Sequence, residues 1–139
     1  MKKTVVITGA SSGIGYYAAK FFLEGGYNVY GLSRKAGDLA GVNYISTDLT
    51  NEESVNAAFD KIVAETGAVD ILVNNAGSGI SGAVEFTEMS EAKYQFDVNF
   101  FGMVRCIKCA LGIMRKKGGK IINVSSVAAA FPLPFQAFY

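Results

Sequence analysis

The feature that most constrains the fold of this chain is a glycine-rich turn at residues 8–15, Thr-Gly-Ala-Ser-Ser-Gly-Ile-Gly. It joins an apolar run at residues 4–8 to a segment with helical spacing of apolar residues, which predicts a strand, a tight turn and a helix. Such a turn directs backbone N–H groups and the positive end of a helix at one point, which suits a pyrophosphate. The spacing is G-x-x-x-G-x-G rather than the commoner G-x-G-x-x-G, so a tight structural loop is the alternative interpretation.

Each glycine of this turn has a separate expected task. Gly9 lets the chain leave the strand sharply, Gly13 removes a Cβ that would keep a phosphate at a distance, and Gly15 lets the helix pack closely on the sheet. The other residues of the expected phosphate-binding turn are Ser11, Ser12 and Ile14.

The composition narrows the class of protein. With 139 residues, 50% of them hydrophobic, the chain is long enough for one hydrophobic core and too short for two ordinary domains, which predicts a single domain over residues 1–139. The 13 basic and 12 acidic residues leave a net charge of +1, which gives no electrostatic reason to expect nucleic acid or an anionic membrane surface as a partner. No segment approaches the length of a membrane span. Small molecules and other proteins are therefore the expected partners.

The cysteine and histidine content restricts the expected cellular location and the possible catalytic chemistry. The first apolar run breaks at Gly9, before the length that a signal peptide requires, and the two cysteines form no disulfide framework, so a reducing cytoplasm is the expected location. The sequence contains no histidine. This excludes a Ser-His-Asp triad, a histidine-ligated metal and an imidazole base, and we expect no metal site. Catalysis would need a different proton donor.

Apolar runs alternate with segments of helical period along the chain, which is the pattern of βαβ units around a parallel sheet. The predicted strands are residues 3–8, 28–32, 42–47, 69–74 and 120–125. The predicted helices are residues 13–23, ending in a left-handed cap at Gly25 and Gly26; residues 51–66, with Thr50 as N-cap and Glu53 completing a capping box; and residues 90–117.

These elements predict an α/β, three-layer, doubly wound Rossmann-type fold. Right-handed crossovers give a parallel sheet with strand order 3-2-1-4-5 and bring the carboxyl ends of all strands to one edge. Ligands of such sheets bind where the strand order reverses, which is the position of the glycine-rich turn. Strands one, four and five are apolar on both faces, so helices are expected to cover both sides.

Further motifs fall at the same edge of the sheet. Strand four ends in Asn-Asn-Ala-Gly at residues 74–77, strand three ends in Asp-Leu at residues 48–49, Asn99 lies in the long helix, and Ser126 follows strand five with Tyr139 thirteen residues later. In this order, and together with Thr-Gly-x-x-x-Gly-x-Gly, the motifs resemble the short-chain dehydrogenase/reductase family over the entire chain. Each motif is weak alone, whereas the combination is specific.

The resemblance implies NAD(P)-dependent hydride transfer at a carbonyl or alcohol carbon. By position in the family's motifs, Tyr139 is the expected general acid/base, Ser126 hydrogen-bonds the same substrate oxygen, and Asn99 holds a water in the proton relay. A phenol has the reach for this task but titrates near pH 10, so it needs help to work near neutrality. In the family that help comes from a lysine four residues after the tyrosine.

Because this sequence stops before that lysine, we expect it to be a fragment. The family's last strands and helices, on the order of a hundred residues, would be missing, and the 139-residue chain is expected to have little or no reductase activity. The family commonly forms dimers or tetramers through the long helix and the next one. The complete protein is therefore an expected homo-oligomer, and the assembly of the fragment is left open.

The residues that end strand two predict the choice of cofactor. An acid there would accept hydrogen bonds from the ribose 2′-OH and favour NAD(H), but the residues present are Ser33, Arg34 and Lys35. A guanidinium binds phosphate bidentately and Ser12 adds a hydroxyl, so NADP(H) is favoured over NAD(H). The alternative is that Arg34 and Lys35 belong to a solvated loop.

Two other motifs have structural alternatives. Asp48, with Leu49, resembles the family's adenine contact, but an acid before a helix also serves helix capping. Asn75, Ala76 and Gly77 are expected both to line the cofactor-binding trough and to stabilise the centre of the sheet.

Two groups of residues outside these motifs, a pair of cysteines and a set of aromatic residues, can be explained by packing. Cys106 and Cys109 lie one helical turn apart with no second pair and no histidine, so we expect packing rather than zinc or redox chemistry. The aromatic residues Phe131, Phe135 and Phe138 either border a hydrophobic substrate pocket or cover an edge of the core.

Three functional hypotheses follow from the sequence. The preferred one is a portion of an NADP-dependent short-chain reductase that acts on a small-molecule carbonyl or alcohol substrate. The second is a nucleotide-binding module without catalysis. The third is a self-associating interaction fragment, because the apolar strand at residues 121–124 would be left at a sheet edge.

Overall fold

A computed structural model describes residues 2–139. The strands are β1 (Thr4–Thr8), β2 (Asn28–Ser33), β3 (Asn43–Ser46), β4 (Ile71–Asn74) and β5 (Lys120–Asn123). The α-helices are α1 (Gly13–Glu24), α2 (Glu52–Thr66), α3 (Met89–Phe96) and α4 (Met103–Met114). A π-helical turn at Asp97–Gly102 joins α3 to α4, and short 3-10 turns lie at Val84–Phe86 and Val127–Ala129.

The five strands form one parallel sheet in the predicted order, β3-β2-β1-β4-β5. β1 lies between β2 and β4, so the crossovers run in opposite directions on its two sides. The predicted strand ends differ from the observed ones by one or two residues; β4 begins at Ile71 and β5 ends at Asn123. The reversal beside β1 opens a cleft at the carboxyl edge of the sheet, as expected for this topology.

The side chains of β1 alternate between two hydrophobic cores. Val5 and Ile7 belong to a core formed with α1 on one face of the sheet. Val6 belongs to a second core, formed with α2 and α4 on the other face. Since all five residues of β1 are buried, the strand lies at the centre of the predicted three layers.

β5 does not meet the prediction that its two faces are covered. Ile121 packs against the core of α2 and α4, but Ile122 and Val124 on the opposite face are 43% and 42% exposed. Ile122 pairs with Val73, whose side chain belongs to the core beside α1. Because α1 packs on β1 and β2, this face of the edge strand is open to solvent.

The predicted long helix is continuous in direction but not uniform. Its first and last observed residues are 89 and 114, and the π-helical turn interrupts the α-helical bonding in the middle. At the end of that turn a Cβ on Gly102 would lie 2.9 Å from Leu49 Cβ, so the backbones approach closely there. The helix ends before the predicted residue 117, because Gly118 adopts φ +74° and its N–H donates to the Met114 carbonyl at 2.8 Å.

Two predicted helix caps need correction. After α1, Gly26 takes the left-handed conformation with φ +80°, whereas Gly25 has φ −74°. The N-cap of α2 is Asn51, whose side chain accepts from the Ser54 N–H at 2.9 Å, and not Thr50.

The reason for the shifted cap lies in the preceding acid. The Thr50 hydroxyl donates to Asp48 Oδ1 at 2.8 Å, so it does not cap the helix. The expected capping box with Glu53 is therefore absent from the described residues, and the cap moves one residue along the chain. Among residues 2–139, none of the helices combines the length and apolar character needed to cross a membrane.

Candidate functional site

Two clefts open at the carboxyl edge of the sheet and share a wall made by Ile14 and residues 75–78. The glycine-turn cleft has a volume of about 870 Å³, and the tyrosine cleft has a volume of about 600 Å³. Eleven of the thirteen residues predicted to bind a cofactor line the glycine-turn cleft: Gly9, Ser11, Ser12, Ile14, Ser33, Arg34, Asp48, Leu49, Asn75, Ala76 and Gly77. Gly13 and Gly15 belong to the turn but do not line the cleft.

The glycine turn is shaped by two close approaches. Gly9 has φ +68°, and a Cβ on it would lie 2.9 Å from Ala76 Cα. A Cβ on Gly15 would overlap the Gly9 carbonyl oxygen and lie 2.5 Å from Asn75 Nδ2. Gly15 therefore lets α1 begin directly against the turn and the loop after β4, while Gly13, with φ +54°, has open space around it.

Thr8, the first residue of the glycine-rich motif, joins the two halves of this wall, a role that was not predicted for it. The Thr8 hydroxyl, at the end of β1, accepts from the backbone N–H groups of Asn75 and Ala76, both at 3.0 Å. In return Asn75 Nδ2 donates to the Thr8 carbonyl at 3.1 Å. Thr8 is 2% exposed, so these bonds fix the loop after β4 against the glycine turn in a buried setting. Its place at the end of an apolar run is the signal that could have identified it.

The opposite wall of the glycine-turn cleft carries two cations, Arg34 and Lys35, directly after β2. Arg34 Nη1 donates to the hydroxyl of Tyr94 on α3 at 2.8 Å. The Arg34 carbonyl accepts from Ser46 Oγ at 3.2 Å, which holds the backbone of this loop to β3. Tyr94 was not predicted, since nothing in its spacing shows that it reaches a residue 60 positions away.

Asp48 is not the N-cap of α2, which is Asn51, and its expected contact with adenine stays a prediction. It lines the cleft, and its Oδ1 accepts from the Thr50 N–H and hydroxyl. These two hydrogen bonds, led by that of the backbone N–H, hold the pKa of the Asp48 carboxyl below its usual value, and Arg34 acts in the same direction. The carboxyl is therefore ionised near neutrality and can accept further hydrogen bonds from a ligand.

Several hydroxyl groups at the clefts lack partners among residues 2–139. Ser33 Oγ and Ser78 Oγ are buried without a hydrogen bond. Ser12 stands at the N-cap position of α1, yet its side chain makes no capping bond. Buried polar atoms are normally paired, so unpaired hydroxyls at a cleft fit a polar ligand that completes their hydrogen bonding. Together with a helix N-terminus free of acidic residues and two cations, they suit a phosphorylated molecule.

The three residues predicted to act in catalysis, Asn99, Ser126 and Tyr139, line the tyrosine cleft. Ser126 Oγ accepts from the Ala128 N–H at 3.2 Å, which leaves its own O–H free to donate. Asn99, in the π-helical turn, forms two hydrogen bonds with the backbone of Ser78. Its Oδ1 accepts from the Ser78 N–H and its Nδ2 donates to the Ser78 carbonyl, both at 2.8 Å.

Gln95, one turn before Asn99, is a residue that the sequence interpretation missed. It is 1% exposed; its Oε1 accepts from the Ile80 N–H at 2.6 Å, and its Nε2 donates to the carbonyl of Phe138. One buried amide therefore holds both the loop after β4 and the residue before Tyr139. Its only sequence signal is a polar side chain on the helix face that Asn99 shares, at a spacing of four residues.

Two of the terminal aromatic residues do not cover an edge of the core, so that predicted alternative is wrong for them. Phe131 and Phe135 are 71% and 67% exposed and line neither cleft. Phe138 lines a separate groove of about 530 Å³ on the outer side of α3, which we call the helix groove.

The cysteines pack as expected. Cys106 is fully buried in the core of α2 and α4, and burial raises the pKa of its thiol to about 12. Cys109 packs against the same core, and burial raises its pKa as well. Within residues 2–139, no group of three or more potential ligands is arranged to hold a metal.

Comparison with known proteins agrees with this geometry. A family model described as short chain dehydrogenase matches residues 3–139. A 3-ketodihydrosphingosine reductase of Bacteroides thetaiotaomicron is 45% identical over 137 residues, which cover 97% of this chain and 51% of the relative. An uncharacterised oxidoreductase of Schizosaccharomyces pombe is 41% identical, with 98% of this chain and 49% of the relative covered.

Solved structures give the same result. The ligand-free aldohexose dehydrogenase of Thermoplasma acidophilum superimposes with a TM-score of 0.96 and 37% identity, covering 99% of this chain and 55% of that one. ElxO with NADP bound gives a TM-score of 0.92 and 34% identity, covering 100% and 61%. The chain belongs to the short-chain dehydrogenase family. It spans about half the length of the curated relatives that it matches.

Proposed function

We propose that the chain supplies the cofactor-binding portion and part of the active site of an NADP-dependent oxidoreductase. The reaction is hydride transfer between a nicotinamide and a carbonyl or alcohol carbon of a small molecule. The observation that carries the proposal is the contact between the two clefts, since Ile14 and residues 75–78 line both. A dinucleotide in the glycine-turn cleft can therefore extend to the residues expected to handle the substrate. The name of the 3-ketodihydrosphingosine reductase relative supports a keto substrate. Two free cysteines support a reducing cytoplasm as its location.

The residues present fit NADP(H) better than NAD(H). Arg34 and Lys35 lie where an acid would be needed to accept hydrogen bonds from a ribose 2′-OH. Ser12 and Ser33 offer hydroxyls that make no hydrogen bond within residues 2–139. A 2′-phosphate would be bound by the guanidinium through charge-assisted hydrogen bonds. The NADP-bound structure of ElxO supports this choice by similarity.

In the proposed reaction, NADP(H) supplies or accepts the hydride. Tyr139 gives a proton to the substrate oxygen, or takes it in the reverse direction, and Ser126 donates a hydrogen bond to the same oxygen. Asn99 holds a water of the proton relay. Each atom of its amide has a second hydrogen-bonding position in addition to its bond with Ser78, so the side chain can hold the loop and the water together.

Calorimetric titration of the 139-residue chain with NADP⁺ and NAD⁺ tests the cofactor assignment. We expect NADP⁺ to bind at least about ten-fold more tightly, because a charge-assisted phosphate contact contributes on the order of 1.5–3 kcal/mol. Arg34→Ala is expected to remove most of that preference. Equal affinity for the two nucleotides, or no binding of either, would contradict the assignment.

The tyrosine cleft also suggests a limit on the activity of these 139 residues alone. None of its lining residues within residues 2–139 is a lysine or arginine, so the phenol has no neighbouring cation there to favour proton transfer near neutrality. We expect the chain to bind the nucleotide with little or no turnover. Steady-state oxidation of NADPH in the presence of carbonyl compounds, well above a blank without protein, would overturn this expectation.

A second candidate function is self-association, which the exposed apolar surfaces favour. The open face of β5 and the helix groove, with Met89, Phe96 and Phe101 about half exposed, leave apolar side chains in contact with water. In this proposal copies of the chain associate as homo-oligomers through these surfaces. Sedimentation velocity over a wide concentration range tests it, and a single monomeric species throughout would count against it.

A further inference from the structure

A hydrogen bond joins two residues that line the glycine-turn cleft. It joins Arg34, in the loop after β2, to Tyr94 on α3, with 2.8 Å between Nη1 and the phenolic oxygen. Both residues line the cleft, and both are exposed. The bond therefore connects two parts of the cleft lining that lie 60 residues apart in the sequence.

The bond restrains the Arg34 side chain but occupies only one of its hydrogen-bond donors. A guanidinium carries five N–H donors, and the Tyr94 hydroxyl takes one of them. The other donors are free to bind an anion bidentately. The loop below the side chain is also fixed, because Ser46 Oγ donates to the Arg34 carbonyl. The arginine is thus held at its backbone and at its tip.

We propose that Tyr94 is a positioning residue that sets the preference of this cleft for a 2′-phosphorylated nucleotide. It does so by holding the Arg34 guanidinium in place before the ligand arrives. The inference rests on the proposed function, in which Arg34 binds the 2′-phosphate. In this proposal the preference for the 2′-phosphate depends on Tyr94 of α3 as well as on the residues that follow β2.

The expected effect follows from the cost of ordering a flexible side chain on binding. A free arginine loses rotational freedom when it binds a phosphate, whereas a pre-positioned one loses less. Removing the hydroxyl should therefore weaken binding of a 2′-phosphorylated ligand by about three- to ten-fold. A ligand without that phosphate does not use the guanidinium in this way, so its affinity should stay within about two-fold.

The test compares adenosine 2′,5′-bisphosphate with adenosine 5′-monophosphate as probes of the 139-residue chain. Dissociation constants are measured by calorimetry for the unchanged chain, Tyr94→Phe, Arg34→Ala and Tyr17→Phe. Tyr17 is a matched control, because it is an exposed tyrosine whose hydroxyl makes no hydrogen bond among residues 2–139 and which lines neither cleft.

The proposal expects Tyr94→Phe to lower the ratio of the two affinities three- to ten-fold through the bisphosphate alone, and Tyr17→Phe to leave it unchanged. A Tyr94→Phe chain with an unchanged ratio, with equal losses for both probes, or with tighter bisphosphate binding would overturn it. If the unchanged chain does not prefer the bisphosphate, or if Arg34→Ala keeps the preference, the result contradicts the proposed 2′-phosphate site itself and not only the role of Tyr94. The two failures are therefore distinguishable.

Discussion

The glycine-turn cleft and the tyrosine cleft share one wall, but their other walls are held by different interactions. The glycine-turn cleft stands on β1, β2 and β4, whose inner residues are buried in two cores, and Thr8 and Asn75 link its sides. The tyrosine cleft stands on the edge strand β5 and on residues 126–139, most of which are exposed. In the second region, side-chain hydrogen bonds take the place of a buried core.

This difference distinguishes the residues proposed to bind the nucleotide from those proposed to act in catalysis. The elements expected to bind the nucleotide are stabilised by burial on both faces of the sheet, which is the largest favourable contribution to folding. The segment that ends in Tyr139 is held by Gln95 and by a backbone bond from the Gly82 N–H to the Phe135 carbonyl at 2.8 Å. We therefore expect the tyrosine cleft to open at a lower cost than the glycine-turn cleft.

The change with the largest expected effect removes the close packing of the glycine turn. In Gly15→Ala the new methyl group would overlap the Gly9 carbonyl oxygen, and α1 would have to move away from the turn. We expect the free energy of unfolding to fall by about 2–3 kcal/mol and nucleotide binding to weaken more than about ten-fold. Urea denaturation and calorimetry measure the two effects.

Gly112→Ala provides the matched control for that change. Gly112 lies in α4 with open space around its Cα, so the added methyl group meets nothing. Because alanine favours helix, this variant should be more stable by up to about 1 kcal/mol. A Gly15→Ala chain that gains stability in the same way would show that the turn is not closely packed.

A smaller effect is expected from Gln95→Leu, which tests whether the two clefts are held independently. The change leaves the Ile80 N–H and the Phe138 carbonyl without their buried partner. We expect a loss of about 2 kcal/mol in unfolding free energy and faster hydrogen exchange at the Ile80 amide. Binding of NADP⁺ should stay within about two-fold, because Gln95 does not line the glycine-turn cleft.

Gln136→Leu serves as the control, since Gln136 makes a long side-chain bond of 3.5 Å to the Ser81 hydroxyl at an exposed position. Its unfolding free energy should change by no more than about 0.5 kcal/mol. If Gln95→Leu weakened NADP⁺ binding by the same factor by which it speeds hydrogen exchange at the Ile80 amide, the two clefts would not be held independently.

The smallest predicted effect appears at alkaline pH and tests whether the core between α2 and α4 excludes water from the Cys106 thiol. Burial raises the pKa of the Cys106 thiol to about 12, whereas an unfolded thiol titrates near pH 8.5. A group whose folded pKa is raised contributes stability below its unfolded pKa, and this contribution is lost as pH rises toward 12. Between pH 8 and 10 the loss should be on the order of 1–2 kcal/mol.

Cys106→Ala should remove that part of the pH dependence, and Cys109→Ala should largely keep it, because the Cys109 thiol is less deeply buried. Urea denaturation at pH 8, 9 and 10 measures the slope for each chain. The same slope in Cys106→Ala as in the unchanged chain would mean that water reaches the thiol.

The sequence was most informative where the structure depends on local rules. The strand order follows from alternating apolar runs and right-handed crossovers, and Gly9 and Gly15 mark a turn that other residues cannot form. The position of the clefts follows from that order. These features needed no knowledge of which side chains meet.

The contacts that the sequence did not reveal are long-range bonds between polar side chains. Tyr94 meets Arg34 across 60 residues, and Gln95 meets Phe138 across 43. Helical period alone shows only which face of α3 each side chain occupies, and it does not identify what lies opposite. The π-helical turn was missed for a related reason, because it depends on the packing of neighbouring elements. The edge position of residues 121–124 was expected, but not that one face of β5 is open to solvent.

Chemical-shift mapping of the ¹⁵N-labelled chain with NADPH shows whether the nucleotide occupies the glycine-turn cleft and reaches the tyrosine cleft. We expect the amides of the glycine-turn cleft to shift first, above all Gly9, Ser12, Arg34 and Ala76, and those of the shared wall at residues 75–78 to shift with them. Shifts confined to the helix groove around Phe101, or no shifts at millimolar NADPH, would contradict it.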